Sequence, residues 1–232
     1  MTLNVSVEPG RVPRVVLSGI DGPVVGRAGG REWVVTEGAV GFPIVDPLAP
    51  LGVPVTYESG GESTSPVVLE SLARDAIMAP DGSQVVECFR ANSHDLELDR
   101  GVATLWPKGA SVPWVLHPEK SGAFTGPLNI VTGAEGADTL ASLLTVSSPV
   151  VVKHNPTRCP IRHCRVAPVM VVTVTNAVDK YAGYDEDGWV SDWSLTVVPD
   201  RLSAVVPARA WWHTMAENDT WFGVDLIGEA FL

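Results

Sequence analysis

The sequence predicts a mainly β protein, a β-sandwich followed by a second β-rich unit that ends in short helices. Three observations carry that prediction. Short β-branched runs recur through the first half with turn residues between them. Glycine and proline are both used above average, 22 and 19 in 232 residues, which suits many tight turns. Helical spacing is confined to a segment around residue 140 and to the tail after Pro207.

The elements follow in order. Val12 to Ile20 is a β-branched run stopped by Asp21-Gly22-Pro23. Val24-Val25 and Glu32 to Thr36 flank Gly26-Arg27-Ala28-Gly29-Gly30-Arg31, which reads as a hairpin loop. The run Asp46-Pro47-Leu48-Ala49-Pro50-Leu51-Gly52-Val53-Pro54-Val55-Thr56-Tyr57 leaves no room for helix. Each proline fixes φ and removes a donor, and the residue before it is pushed to extended geometry. It is a rigid, kinked lead-in that delivers Val53 to Tyr57 as a strand. Ser65 to Glu70, Val85 to Phe89 and Gly101 to Trp106 are further extended segments, the second entered through Pro80-Asp81-Gly82.

A boundary is expected near Ser111 to Pro113, giving units 1–112 and 113–232. Leu128 to Thr132 reads as a strand. Leu140, Leu143 and Leu144 then mark a helix over Asp138 to Val146, with Asp138 as its N-cap. Pro149 opens Val150-Val151-Val152, and Pro168 to Thr175 is a long β-branched run. From Trp189 to Val198, Trp189, Trp193, Leu195 and Val197 alternate with mainly polar residues, as a half-exposed strand requires. Pro207 suits the first position of a helix carrying Trp211 and Met215, and Thr220 the cap of a last one carrying Trp221, Val224 and Ile227.

Composition excludes several classes. Sixteen Lys and Arg against 27 Asp and Glu give a net charge of −11, the wrong sign for gripping phosphates. No segment reaches the ~18 apolar residues of a membrane span. The amino terminus Met1-Thr2-Leu3-Asn4-Val5 lacks a signal-peptide pattern, so synthesis and assembly in a cytoplasm are expected.

The sequence holds one cluster with ligand chemistry, His154-Asn155-Pro156-Thr157-Arg158-Cys159-Pro160-Ile161-Arg162-His163-Cys164. A disulfide from Cys159 to Cys164 across the turn at Pro160, free thiols, and metal ligation all stay open. The spacing speaks for the disulfide and against zinc. His163 and Cys164 are adjacent and would point opposite ways in extended chain, and no second Cys-x-x-Cys half exists. Cys88 reads as a small buried hydrophobe.

Other motifs have plainer explanations. Gly26 to Arg31 lacks the Gly-Lys-Ser/Thr ending of a phosphate loop. Asp185-Glu186-Asp187-Gly188 packs its acids too closely for a calcium loop and reads as a hairpin tip. Ser93-His94-Asp95 sets three triad residue types side by side, but a triad is spatial and no nucleophile elbow accompanies it. The chain therefore reads as non-enzymatic, with no cofactor. Eight tryptophans are many for this length. Trp211 and Trp212 lie ~100° apart on a helix and cannot share one core seam, so Trp211, Trp212 and Trp221 are the candidate interface residues.

Four stretches together resemble the minor tail proteins of siphophages that infect actinobacteria. They are "APLGVPVTY" at 49–57, "PWVLHPEKSG" at 113–122, "LASLLTVSSPVVVKHNPTRCPIRHC" at 140–164 and "WSLTVVPDRLSAVVPARAWWHTMAENDTWFGV" at 193–224. That family is similar in role to distal tail proteins. The resemblance implies a virion tail-tip component that forms a ring, usually of six subunits, joining the tail tube to the baseplate around the DNA path. It implies contacts with further copies of the chain, the tail tube protein, the tail-tip hub and the tape-measure protein. Residues 1–112 would be an outward fibronectin-like or lectin-like sandwich and 113–232 the ring-forming part. The alternative is a carbohydrate-binding sandwich at the host surface, with Trp33 and Trp106 as the stacking aromatics.

Overall fold

The computed structural model describes residues 3–92, 97–98, 103–109, 112–116, 124–161, 164, 166–185, 188–200, 202 and 206–207. Among the described residues the protein is mainly β: small antiparallel sheets, then a closed six-stranded barrel, with one α-helix.

The first strands are β1 (Asn4–Glu8), β2 (Arg14–Ser18), β3 (Val24–Ala28), β4 (Arg31–Thr36), β5 (Ile44–Asp46), β6 (Pro54–Ser59), β7 (Glu62–Ser63) and β8 (Val67–Val68). The chain continues through β9 (Asp75–Met78), β10 (Val85–Asn92), β11 (Glu97–Leu98), β12 (Ala103–Leu105) and β13 (Trp114–Leu116). Then come β14 (Phe124–Gly133), α1 (Ala134–Val146), β15 (Val150–His154), β16 (Val169–Asp185), β17 (Gly188–Pro199) and β18 (Val206–Pro207).

Two small sheets form first, β1-β2-β5-β18 and β4-β3-β6-β7, with β8 pairing β6. Val15, Leu17 and Ile44 of one and Val24, Val55 and Tyr57 of the other bury into a shared core. The β3–β4 connection is the expected hairpin, with Gly29 and Gly30 at positive φ. Opposite Trp33, position 26 must be glycine, because a Cβ there would lie 2.5 Å from the indole Cε2.

The barrel runs β10-β9-β15-β16-β17-β14 and closes through β10–β14 pairing. Its strands obey the two-residue period of a closed sheet. Ile77, Val150, Val152, Leu128, Ile130, Trp193, Leu195 and Val197 form its core, joined by Ala137, Leu140 and Leu143 of α1. Cys88 lies in the same core, as a small buried hydrophobe should. Trp193, opposite Ile130 in the β14–β17 ladder, donates its indole N–H to Thr132 Oγ1 at 3.2 Å, which satisfies the one polar atom of that ring.

β9 and β15 are buried on both faces. Ile77 and Val152 point into the barrel, whereas Ala76, Met78 and Val151 pack against the small sheets. β9 and β10, although they precede residue 112, belong to the barrel sheet.

Two expectations are corrected. Helix α1 starts at Ala134, not at Asp138; its N-cap is Gly133, which offers no side-chain bond, and Asp138 lies exposed within the helix. Pro207 does not open a helix: Val206 and Pro207 pair with Val45 and Ile44, an edge position where a proline without an N–H is tolerated. The tail helices with Trp211, Trp212 and Trp221, and the Ser93-His94-Asp95 run, lie outside the described residues. Asp185 pairs with Gly188 at the end of the β16–β17 ladder, and Glu186 and Asp187 lie outside the described residues.

Candidate functional site

Polar side chains concentrate where β15 passes between the barrel and the small sheets. Lys153 and His154 end an otherwise valine strand and, as neighbours in extended chain, point to opposite sides. Each enters a different buried cluster.

Lys153 enters the proline-rich run. Its Nζ donates to Ala49 O at 2.8 Å, with no exposed surface left. Asp46, also buried, gathers the donors around it: Leu48 N–H to Oδ1 at 2.9 Å, Tyr57 O–H to Oδ2 at 2.8 Å and Trp33 Nε1–H to Oδ2 at 3.0 Å. The first and last residues of the run are thus bonded to one another, which explains how so many prolines end in a strand of fixed direction. Burial holds the Asp46 carboxyl above the usual carboxylate range despite these donors and Lys153. Burial likewise pushes Lys153 down to about 8, against the pull of Asp46, and raises the Tyr57 hydroxyl. Each polar side chain of the cluster is hydrogen-bonded, which makes it a structural clamp.

His154 enters the second cluster. It lies directly opposite Asp75 in the β9–β15 ladder, with its Nδ1 2.7 Å from Asp75 Oδ1. Asp75 Oδ2 accepts from Arg74 Nε at 2.9 Å, and the Arg74 guanidinium lies 5.2 Å over the Phe89 ring. The chain then turns sharply. Asn155, buried, caps a single 3-10 turn at Pro156–Arg158 by accepting from Thr157 N–H and Oγ1. Its Nδ2 donates to Ser71 O and Ala73 O, so the turn is anchored to the segment before β9. Gly52 packs against this turn from the proline-rich run, at φ +66°. The return of the chain sets Cys159 and Cys164 beside His154 Nε2, with Cys164 Sγ 3.5 Å from it. His154 Nε2 and the two sulfurs all lie within 4.8 Å of one another.

Of the three states left open for Cys159 and Cys164, the structure shows both as free thiols, with Cys164 facing the imidazole. Partial burial, together with the neighbouring Cys159 sulfur, holds the Cys164 thiol above its ordinary value. The sequence reading counted both His154 and His163 in this cluster, and His163 lies outside the described residues. His154 is the imidazole that faces the sulfurs, and Asp75 was not foreseen at all. The one available signal was an ionisable pair, Lys153-His154, at the end of a wholly apolar strand.

The chain matches no protein-family model and no curated protein sequence.

Proposed function

We propose that this chain is a non-enzymatic structural component of a phage tail tip, a ring subunit that joins tail tube to baseplate around the DNA path. The family resemblance of the four stretches supplies the role. The single observation that supports it is the outer edge of β16. β15 pairs with β16 only from Val169 to Val172, while β16 continues to Asp185. Among the described residues, the stretch from Thr173 onward pairs with β17 alone. A long uncovered edge invites a further strand, and a closed ring provides one from the next subunit. Asp179 and Lys180 on that edge, and the register shifts at Val174/Asn176 and Tyr181/Gly183, limit uncontrolled pairing in the free chain. In this reading the small sheets form the outward fibronectin-like or lectin-like part, and the net charge of −11 keeps DNA from sticking to the ring.

Native mass spectrometry and negative-stain imaging of the purified chain test the proposal. A closed cyclic oligomer, hexameric by the family likeness, is expected. A strictly monomeric chain at high concentration that is also absent from tails overturns it.

The second reading, a carbohydrate-binding module, has support from Trp106, which is 66% exposed beside the exposed Leu105. Trp33 does not support it, since its ring is held over Gly26 and bonded to Asp46. Glycan binding lost in Trp106→Ala, with the fold intact, would favour this reading.

A further inference from the structure

We propose that His154, Cys159 and Cys164 form a zinc site, with water as the fourth ligand and Asp75 as the group that orients the imidazole. The inference is independent of the assembly role.

The geometry carries it. Tetrahedral zinc with Zn–N near 2.05 Å and Zn–S near 2.3 Å places a nitrogen and a sulfur ligand about 3.6 Å apart. His154 Nε2 and Cys164 Sγ are separated by 3.5 Å. All three donor atoms lie within 4.8 Å of one another, so small rotations bring Cys159 Sγ to the same centre. The donor set is two soft sulfurs and one imidazole, a combination that suits zinc over calcium or magnesium.

The surroundings fit the same ion. Asp75 Oδ1 takes the Nδ1 side of the ring, which leaves Nε2 as the lone-pair nitrogen facing the sulfurs. Asp75 is itself fixed by Arg74 and buried in the β9–β15 ladder, so the imidazole is aimed before any metal arrives. Two thiolates neutralise the charge of the ion, and their two protons leave to solvent on binding. The site would pin the 3-10 turn at Pro156–Arg158 to the end of β15, at the place where Gly52 of the proline-rich run packs.

The same atoms also have the connectivity of a nucleophile, base and orienting carboxylate, with Cys164, His154 and Asp75 in line. The second sulfur argues for the metal: Cys159 Sγ lies within 4.8 Å of both Cys164 Sγ and the imidazole, so two soft donors converge on one nitrogen.

The test uses the full chain, reduced with a phosphine and freed of metal, titrated with Co²⁺ alone. The expected result is a thiolate-to-cobalt charge-transfer band and the intense visible bands of a four-coordinate ion, saturating at one ion per chain and bleached by Zn²⁺. Cys159→Ser and Cys164→Ser should each weaken that band and lower affinity at least tenfold, while Cys88→Ala leaves both unchanged. Asp75→Asn should lower affinity about 10- to 100-fold while keeping the band shape, as a positioning residue does. Alkylation of the wild-type chain, mapped by mass spectrometry, needs no variant to fold: Zn²⁺ should protect Cys159 and Cys164 together and leave Cys88 unaffected. Absence of the cobalt band overturns the site. So does alkylation that zinc does not slow, whether Cys164 alone reacts fast, as a nucleophile would, or the two cysteines are found joined as a disulfide.

Discussion

Asp75 and His154 occupy directly opposed positions on β9 and β15, and a 2.7 Å bond between Oδ1 and Nδ1 joins two strands 79 residues apart in sequence. Both side chains are almost fully buried. The pair lies at the end of β15, where the chain enters the 3-10 turn that leads to Cys159.

Removing Asp75 leaves a buried imidazole and the Arg74 guanidinium without this acceptor. Asp75→Ala should therefore destabilise the fold by about 3 kcal/mol. Arg74→Ala removes a partly exposed partner and should cost about 1 kcal/mol or less. Urea unfolding midpoints of the two variants distinguish them. Equal losses would mean that the histidine contact contributes nothing of its own.

Gly52 gives a second test. A Cβ at this position would meet Asn155 Oδ1 at 2.5 Å and Thr157 Oγ1 at 2.7 Å, in a backbone at φ +66°. Gly52→Ala combines a clash with a left-handed conformation and should cost at least about 2 kcal/mol. Gly60, at φ +58° with nothing within 4 Å, carries the conformational term alone, so Gly60→Ala should cost about 1 kcal/mol. Thermal unfolding of both variants measures the difference, which belongs to the contact with the turn.

What could be read from the sequence was local. The alternation in β17 identified its inward face: Trp193, Leu195 and Val197 are buried, whereas Thr196 and Val198 are exposed. The Gly29-Gly30 hairpin and the strand after the proline run were legible because turn chemistry and fixed φ act within a few residues. Barrel closure was not, since it rests on pairs such as Phe89 with Val131, which no local pattern connects. The start of α1 was missed because Gly133 caps it without a side-chain bond, while Asp138 imitates a cap five residues later. The rim cluster failed for a related reason: adjacency of His163 and Cys164 argued against a metal, but the imidazole that faces the sulfurs comes from the end of β15.

Lys153 makes stability depend on pH in a defined direction. Its folded-state value is lowered to about 8 from 10.5, so between those values the unfolded chain binds more protons. Its burial cost is fully present below pH 8 and is relieved as pH rises towards 10.5, so this group's contribution to stability increases across that window. The full relief is on the order of 3 kcal/mol. Cysteines, tyrosines and other lysines titrate there too, so the measurement is the difference between wild type and Lys153→Met in urea at several pH values. The wild type should gain on the variant as pH rises; a difference that stays flat from pH 7 to 10.5 would show that Lys153 carries its charge inside at no cost.

The exposed face of the β16–β17 hairpin tests assembly without disturbing the core. Val178 pairs with Ser194 on the outward side of the ladder and is 41% exposed, as is Val198 on the same face. Exposed valines beside an unpaired edge favour docking against another chain. Val178→Lys adds a charge there, and a lysine is one of the residues that natural edges use to prevent pairing. Its effect on monomer stability should stay within about 0.5 kcal/mol, as for ordinary surface substitutions. Its effect on a ring would be large, because the substitution repeats at every interface of a cyclic oligomer. Size-exclusion chromatography with light scattering should then show wild-type oligomer and variant monomer at equal concentration and equal thermal midpoint. An oligomer that survives Val178→Lys unchanged would move the contact surface away from the hairpin.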